Sequence, residues 1–247
     1  MIDLHCHILP GVDDGAQTPE QALDMARLAV DAGVATIAAT PHTNIARMFE
    51  NYASDELDAR FTALRTLLKQ QNIPLEIVTG AEIYFDGDVA DMLRRGTVPT
   101  LGGTRYPLVE FSFHDRPSRV LDGLESLLDA GYTPIIAHPE RYRFVQRDPG
   151  GLLPVFADMG CVLQINRGSP LGRFGEGALR VSRRMLEIGL VHLVASDAHS
   201  DTARTPWLAD IRAFLRDTYG DGCPELLLER NPAHILRDEP VESVFDS

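Results

Sequence analysis

Two closely spaced pairs of ligand-type side chains stand near opposite ends of the chain, His5 with His7 and Asp197 with His199. Side chains at positions i and i+2 of an extended strand point the same way, so each pair could bind one metal ion. A single His-x-His pair is a weak sign, because histidines are also common as surface or hydrogen-bonded core residues. The two pairs together are a stronger sign, and they predict a metal centre of imidazoles and carboxylates.

Single ligand-type residues follow several short apolar segments between these pairs. They are His42, Glu82, Glu110 and His138. Imidazole with carboxylate, without a thiolate pattern, favours Mn, Fe or Zn in an open catalytic site over a closed structural zinc. The ligands are too many for one ion, so they predict two or three ions, with Glu82 as the first choice for a bridging carboxylate. Paired ions about 3.5–4 Å apart can hold a hydroxide nucleophile and clamp a phosphoryl group.

Two arginines beside these ligands fit an anion-binding role. Arg141 comes three residues after His138, and Arg204 comes five residues after His199. Guanidinium groups bind phosphate through two parallel hydrogen bonds. A surface salt bridge is the alternative for each, but their positions beside the ligands favour phosphate binding. Weaker candidates are Arg143, Arg147 and Arg167.

The segment from Cys161 to Arg167 has the Cys-x5-Arg spacing of thiol-based tyrosine phosphatases. In those enzymes the intervening residues form a loop whose backbone N–H groups cradle phosphate. Here residues 162–166 favour a strand and contain no glycine, so a cysteine-based mechanism is disfavoured. The histidines without a partner pattern are expected to be structural or surface residues. They are His114, His192 and His234.

The alternation of apolar strands and helices explains how distant ligands could meet. Strands are predicted at residues 2–4, 35–40, 75–80, 107–110, 133–137, 161–165 and 191–195. Helices are predicted at residues 18–32, 54–71, 118–130, 150–158, 175–188 and 206–219. About seven buried strands, most of them followed by a helix, predict an α/β barrel with parallel strands. The ligands fall at the C-terminal ends of these strands, where barrel active sites lie.

The first two helices have clear boundary and packing signals. Thr18 is a plausible N-cap, Pro19 stands at the first helical position, and Gly33 follows the last turn. Ser54 is expected to cap the second helix. The apolar face of that helix is predicted to carry Leu57, Phe61, Leu64 and Leu68.

The composition limits the classes of function. The 247 residues suit a single domain over 1–247, because no linker or repeat divides the chain. A net charge of −13 disfavours binding to nucleic acid or to anionic membranes. Three cysteines give no disulfide framework, and no signal peptide or transmembrane run is visible, so a cytoplasmic protein without membrane insertion is expected. The acidic stretch 231–247 is expected to be partly frayed.

The opening residues MIDLHCHILPGVDDG resemble the start of the bacterial manganese-dependent tyrosine-protein phosphatases. These are capsule and exopolysaccharide regulators of the PHP (polymerase and histidinol phosphatase) superfamily. The segments TPH at 40–42, GAE at 80–82, HPER at 138–141 and SDAH at 196–199 are also similar to motifs of that family, so the similarity covers nearly the whole chain in order. The resemblance implies a distorted (β/α)7 TIM-like barrel with a trinuclear cluster, with Mn²⁺ as the metal.

The resemblance also implies a role for each ligand. The first ion would bind His5, His7, Glu82 and Asp197; the second Glu82, Glu110 and His138; the third Asp14, His42 and His199. Arg141 and Arg204 would hold the phosphate. The implied substrate is the phosphotyrosine-rich tail of a bacterial tyrosine autokinase that controls polysaccharide export.

Two segments depart from the family pattern, and both could border the substrate. Residues 43–50 lack the second histidine that often follows the family's equivalent of His42, and residues 83–91 also read differently. Other functions remain open with the same cluster. Histidinol-phosphate phosphatase, or another small-molecule phosphoesterase, is the nearest alternative. A PHP exonuclease is disfavoured by the negative charge, and a non-catalytic domain that binds the phosphorylated kinase tail is a further alternative.

Overall fold

A computed structural model of the chain describes residues 1–242. Within this range, nine short strands pair in parallel throughout. They are β1 (Ile2–Cys6), β2 (Thr36–Ala39), β3 (His42–Thr43), β4 (Glu76–Thr79), β5 (Glu82–Tyr84), β6 (Leu108–Glu110), β7 (Ile135–Ala137), β8 (Val162–Asn166) and β9 (Leu193–Ala195). They form two sheets, in the orders β1-β2-β4 and β3-β5-β6-β7-β8-β9.

The nine strands correspond to seven successive chain segments. Two residues separate β2 from β3, and two separate β4 from β5, so each of these pairs is one interrupted segment. Two backbone hydrogen bonds link the last segment to the first, from His7 N to Ala198 O at 2.9 Å and from Asp197 N to His5 O at 2.8 Å. The strand order is that of a distorted (β/α)7 TIM-like barrel of the PHP type, and the predicted fold class is confirmed.

Helices follow the strands and pack on them. They are α1 (Pro19–Asp31), α2 (Asp55–Gln70), α3 (Val89–Arg94), α4 (Pro117–Asp129), α5 (Arg143–Arg147), α6 (Pro149–Asp158), α7 (Gly175–Glu187), α8 (Ala209–Tyr219), α9 (Gly222–Glu225) and α10 (Asn231–Leu236). There are 3₁₀ turns at Leu101–Gly103 and Pro139–Arg141, and a π-helical turn at Leu226–Arg230. Among the described residues, every helix is too short or too polar to span a bilayer.

The predicted boundaries of the first two helices are confirmed. The Thr18 side chain accepts a hydrogen bond from Gln21 N, and Ser54 accepts one from Leu57 N. Gly33 has a φ of +88°, a left-handed conformation in which glycine pays no Cβ penalty. The four apolar residues predicted for one face of α2 are all buried.

Several elements differ from the prediction. The short strands β3 and β5 and the helix α3 were not predicted, and α8 begins at Ala209 rather than at residue 206. The fraying expected from residue 231 onward is wrong for α10, because Asn231 and Ile235 are fully buried. Ile235 packs in an apolar cluster with strand residues that include Leu4 and Leu108. The remainder of that prediction, at 243–247, lies outside the described residues.

Candidate metal centre

The predicted ligands come together at the C-terminal ends of the strands. His5 lies in the last two residues of β1, and Glu110 is the last residue of β6. His42 and Glu82 begin β3 and β5, which are the second halves of the interrupted segments β2–β3 and β4–β5. Ligand atoms lie within 4.8 Å of one another in four overlapping groups: His7, Asp14, His42 and His199; His5, Glu82 and His138; His5, His7 and Asp197; and His42, Glu82 and Glu110. The fold therefore places all nine predicted ligands in one continuous cluster.

Glu82 lies at the centre of this cluster. Its Oε2 is 3.2 Å from His5 Nε2, 3.3 Å from His7 Nε2 and 3.0 Å from His42 Nδ1. Its Oε1 is 2.9 Å from His138 Nε2. A carboxylate that faces two sets of imidazoles, one with each oxygen, has the geometry of a ligand shared between ions.

The side chains of the His5–His7 pair and of the Asp197–His199 pair are each close together, but for different reasons. His5 Nε2 and His7 Nε2 are 3.2 Å apart, as predicted for side chains on one face of a strand. Asp197 instead lies beyond the end of β9 with a φ of 48°. His199 Nδ1 is 3.5 Å from Asp197 Oδ1, so the second pair is assembled by a turn and not by a strand.

Two of the ligand positions have left-handed backbones. The φ angles are 36° for His138 and 48° for Asp197. Non-glycine residues in this region cost on the order of 1–3 kcal/mol each and cluster at functional sites. The Asp197 conformation is held by neighbours, because Asp197 N donates to His5 O and the Asn166 amide donates to Asp197 Oδ2. Surrounding contacts thus hold these ligands in position at a cost in stability.

The ligand cluster, which is buried around Glu82, opens to solvent at Asp14. Its Oδ1 is 3.6 Å from His42 Nε2 and 3.4 Å from His199 Nε2, and its side chain is 54% exposed. A cavity of about 190 Å³ lies over the cluster, which we call the metal cavity. It is lined by Asp14, His42, Glu82, Glu110, Phe113, His138, Arg141, Asp197, His199 and Arg204. Ligands, phosphate-binding candidates and solvent therefore meet in one place.

The electrostatics of the cluster fit bound divalent cations. Burial raises the pKa of Glu110 well above its usual value, and the carboxylates of Glu82 and Asp197 add to this effect. Burial lowers the pKa of His138 to about 4, which leaves its imidazole neutral, as a metal ligand must be. The pKa of Asp14 falls to about 2, chiefly through its hydrogen-bonding contact with His199. Cations would relieve the repulsion among these crowded carboxylates.

Unpartnered buried atoms point the same way. Glu82 Oε2 and His42 Nδ1 are buried and have no hydrogen-bond partner among the described residues. Leaving such atoms unsatisfied is costly in a protein interior. These two atoms lie 3.0 Å apart with imidazole nitrogens around them, so cations would satisfy their lone pairs.

Two residues outside the predicted set orient the first two histidines. His5 Nδ1 is 2.9 Å from Gln164 Oε1, and His7 Nδ1 is 2.8 Å from Asp13 Oδ2. Each contact assigns the Nδ1 proton, which leaves Nε2 free to bind a metal. Asp13 also accepts hydrogen bonds from the backbone N–H groups of Gly15 and His42, both at 2.9 Å. The sequence analysis missed both orienting residues, although Asp13 directly precedes the predicted ligand Asp14.

The loop that carries Asp13 folds back tightly on His7. Ala16 N donates to His7 O at 2.9 Å. A Cβ at Gly15 would lie 2.1 Å from His7 O and 2.4 Å from His7 Cβ, so a larger residue cannot fit there without displacing the ligand. Glycine is therefore required at this position by a close approach and not by a positive φ.

Asp13→Asn is expected to lower metal affinity about 10- to 100-fold, because an outer carboxylate of this kind typically has an effect of that size. One Asp13 oxygen accepts a hydrogen bond from Gly15 N, and the other accepts from His7 Nδ1 and His42 N. An asparagine would replace one of these acceptor oxygens by an NH₂ group, which would then face an N–H donor. Titration of metal-free protein with Mn²⁺ in competition with a chelator measures the change. Asp24→Asn, on the exposed face of α1, is the matched control. Equal affinity in both variants would contradict the assigned role of Asp13.

The two predicted phosphate-binding arginines lie side by side at the metal cavity. Arg141 Nη1 is 3.1 Å from Asp197 Oδ2, and Arg204 Nη2 contacts the same oxygen. The Arg141 guanidinium carbon lies between two rings, 4.9 Å from the Phe113 centroid and 4.7 Å from the Phe174 centroid. These aromatic contacts limit the orientations of the guanidinium. The sequence analysis did not identify either phenylalanine.

The weaker arginine candidates lie elsewhere. Arg143 and Arg147 are exposed on α5 and do not line the metal cavity. Arg167 is 3% exposed, and its guanidinium donates to the Trp207 carbonyl and lies 3.7 Å from Asp210 Oδ1. The structure thus separates these three from the two arginines at the cluster.

The remaining reactive side chains have structural surroundings. Cys161 is buried just before β8, and burial raises the pKa of its thiol to about 12, so it is not an activated nucleophile. His192 Nδ1 accepts a hydrogen bond from Leu163 N, and burial lowers its pKa to about 4. His234 Nδ1 is 3.1 Å from Pro240 O, and His114 is exposed. None of these four lines the metal cavity.

A parallel α/β barrel with histidines and carboxylates grouped at its strand ends defines a class, the metal-dependent hydrolases built on a TIM-like barrel. Comparison with known proteins gives the family. Residues 1–237 match the family described as "Capsular polysaccharide synthesis, CpsB/CapC", and the chain belongs to it. The family resemblance read from the sequence motifs is confirmed.

Named relatives cover almost the full length of the chain. The tyrosine-protein phosphatase YwqE of Bacillus subtilis (strain 168) is 37% identical over 241 residues, which are 98% of this chain and 93% of the relative. The tyrosine-protein phosphatase CpsB of Streptococcus pneumoniae is 35% identical over 246 residues, 98% of this chain and 100% of the relative. A solved structure from work on YwqE and CpsB, described as unique metal-dependent tyrosine phosphatases, has 36% identity and a TM-score of 0.91, and covers 98% of this chain and 97% of its own.

Proposed function

We propose that this chain is a metal-dependent phosphatase that hydrolyses phosphotyrosine in proteins. The observation that carries the proposal is the buried cluster of histidines and carboxylates with Arg141 and Arg204 beside it in one cavity. The family relatives add support, because those of known name are tyrosine-protein phosphatases of similar length. The likeness to a metal-dependent tyrosine phosphatase at a TM-score of 0.91 supports the same reading.

We infer that two or three Mn²⁺ ions bind at the cluster. The ligands would be His5, His7, Glu82 and Asp197 for the first ion, Glu82, Glu110 and His138 for the second, and Asp14, His42 and His199 for the third. Imidazole and carboxylate ligands also suit Fe and Zn, but the absence of thiolate and the number of carboxylates favour Mn²⁺. When bound, the ions would supply a hydroxide nucleophile at neutral pH and neutralise charge on the phosphoryl oxygens.

The chain's own residues would position these groups and the substrate. Gln164 and Asp13 hold His5 and His7 with Nε2 directed at the cluster. Arg141 and Arg204 both contact one oxygen of Asp197 and both line the metal cavity, so a phosphoryl group bound there would lie beside two guanidiniums. Their paired donors would stabilise the charge that develops on the phosphoryl oxygens. A phenolate leaving group has a pKa of about 10 and needs less protonation than an alkoxide, so we assign no general acid.

The family's link to capsular polysaccharide synthesis supports a narrower proposal for the substrate. We infer that the protein acts in the cytoplasm on the phosphorylated tail of a bacterial tyrosine autokinase that controls polysaccharide export. Such a tail is a flexible chain segment, which suits a cavity that opens to solvent at Asp14. The net charge of −13 disfavours nucleic acid as a substrate.

Initial rates on three substrates test the activity: a phosphotyrosine peptide, a phosphoserine peptide and histidinol phosphate. We expect phosphotyrosine to be preferred with added Mn²⁺, activity to vanish with chelator, and Mn²⁺ to restore it. If histidinol phosphate is preferred, the proposed metal centre would stand, but the proposed substrate would be wrong. Binding of phosphopeptide without turnover, in metal-replete protein, would identify a binding domain and overturn the enzymatic proposal.

A further inference from the structure

A second cavity lies beside the metal cavity. Its volume is about 340 Å³, and its lining includes three arginines, Arg167, Arg173 and Arg204. The rest of the lining is Gly168, Phe174, Ser196 and Ala203. Arg204 lines both cavities, and the Phe174 ring contacts both Arg204 and Arg141. One guanidinium and one ring therefore stand between the two spaces.

The charges around this basic cavity are only partly balanced. Arg167 and Arg173 share a single carboxylate, that of Asp210, at 3.7 and 3.0 Å. The carboxylate next to Arg204 belongs to Asp197, which also faces the metal ligands His5 and His7. Three guanidiniums thus share two carboxylates, and one of those two is a proposed metal ligand. In a chain with a net charge of −13, three guanidiniums around one cavity form a local site suited to an anion.

We propose that this basic cavity is a binding subsite for a second anionic group of the substrate, a carboxylate or phosphate on a residue close to the phosphotyrosine. The inference rests on the proposed phosphatase function, because it places the phosphotyrosine in the neighbouring metal cavity. An extended peptide advances about 3.3 Å per residue, and the two cavities share a wall. The second group therefore comes from a residue within about three positions of the phosphotyrosine.

The three arginines would contribute differently. Arg167 is 3% exposed, and its guanidinium donates a hydrogen bond to the Trp207 carbonyl. It would therefore contribute positive potential from the buried wall of the basic cavity. Arg204 has a buried Nε–H without a hydrogen-bond partner among the described residues, so its hydrogen-bonding capacity is not fully used. The Arg173 side chain is 50% exposed and holds Asp210 through one nitrogen, so it is the arginine best able to meet an incoming anion. A charge-assisted hydrogen bond from Arg173 would then fix the second group.

Substitution of Arg173 tests the subsite without touching the proposed catalytic residues. Arg173→Glu reverses the charge at the edge of the basic cavity. Arg184→Glu is the matched control, because Arg184 is 60% exposed on α7, pairs with Glu187 and does not line the cavity. Each Mn²⁺-loaded protein is assayed on phenyl phosphate and on three phosphotyrosine peptides with blocked termini. The first peptide is otherwise neutral, the second has Glu two residues from the phosphotyrosine, and the third has a second phosphotyrosine there.

We expect the native protein to prefer the anionic peptides over the neutral one by about five- to tenfold in kcat/KM. The ratio of kcat/KM on the anionic peptides to kcat/KM on the neutral peptide should fall to about one in Arg173→Glu. The ratio should keep its native value in Arg184→Glu. A larger gain from Glu identifies a carboxylate as the natural second group, and a larger gain from phosphotyrosine identifies a phosphate. Activity on phenyl phosphate, which has no second anionic group, should be the same in all three proteins.

Two results would overturn the subsite: no preference in the native protein, or equal loss in the two variants, which would reflect net charge alone. Failure of the proposed function gives a different result, the absence of hydrolysis of phenyl phosphate and of the neutral phosphotyrosine peptide in every protein. Fluorescence anisotropy with non-hydrolysable phosphonate versions of the same peptides still tests the subsite in that case. Tighter binding of the anionic peptides to native protein and to Arg184→Glu, but not to Arg173→Glu, would support it.

Discussion

Glu82→Gln is expected to remove phosphatase activity almost completely and to weaken metal binding at more than one position. The two Glu82 oxygens face different imidazoles, with Oε2 near His5 and His7 and Oε1 near His138. A neutral amide keeps the shape of the side chain but loses the charge and one of the two acceptors. If the loss of bridging costs about 4 kcal/mol of transition-state stabilisation, kcat falls about 10³-fold.

The measurement is kcat on a phosphotyrosine peptide at saturating Mn²⁺, together with the metal content of the purified protein. Glu76→Gln is the matched control, since Glu76 is exposed at the start of β4 and its carboxylate accepts a hydrogen bond from the Thr36 hydroxyl on the neighbouring strand. Full activity is expected in the control. A Glu82→Gln protein that retains a full complement of metal and more than about a tenth of the native kcat would show that this carboxylate is not a bridge.

The parts of the fold that the sequence could predict are those set by local patterns. Thr18 and Ser54 cap their helices because a side-chain oxygen satisfies an N–H group that the first turn leaves free. Each predicted strand overlaps an observed strand, because buried parallel strands are short runs of apolar residues. Since the carboxyl ends of parallel strands meet at one end of the barrel, the ligands could be expected to gather there.

The elements that were missed depend on the tertiary structure. β3 has two residues and β5 has three, which is too short for any periodicity, and both exist because they pair with neighbours in the barrel. Within the site, Asp13 and Asp14 have the same local pattern, and the family resemblance alone selects Asp14 as a ligand. The role of Asp13 depends on the fold, which turns its carboxylate toward Nδ1 of His7 and places Asp14 at the cavity.

The contacts between the arginines and the phenylalanine rings could not be predicted from the sequence, because they also depend on the tertiary structure. Phe174 precedes α7 and Phe113 follows β6, so nothing in their spacing connects them with Arg141. The pattern Gly175–Glu187 correctly predicts a helix, but not that the residue before it contacts two guanidiniums. Local signals and the family resemblance therefore predict the candidate ligands, while the residues that orient them are known only from the folded chain.

Arg141→Lys is expected to lower kcat/KM on phosphotyrosine peptides about 10²- to 10³-fold, the usual effect of removing one preorganised donor group from a charged transition state. Lysine keeps the positive charge but lacks the planar fork that binds two phosphate oxygens and stacks on Phe113 and Phe174. Arg143→Lys, on the exposed face of α5 two residues away, is the matched control and should be unaffected. In a double Arg141→Lys and Arg204→Lys variant, the loss of transition-state stabilisation calculated from kcat/KM should be smaller than the sum of the losses in the two single variants. Both groups act on the same phosphate, so their effects are not additive.

A competing explanation for such a loss is that Arg141 only holds the proposed metal ligand Asp197, whose Oδ2 lies 3.1 Å from Arg141 Nη1. The two roles predict different side effects. If Arg141 binds phosphate, Arg141→Lys raises the inhibition constant for inorganic phosphate and leaves Mn²⁺ affinity near the native value. If it only positions Asp197, Mn²⁺ affinity falls and activity recovers at high metal concentration. Recovery of native kcat/KM at saturating Mn²⁺ would therefore rule out direct phosphate binding by Arg141.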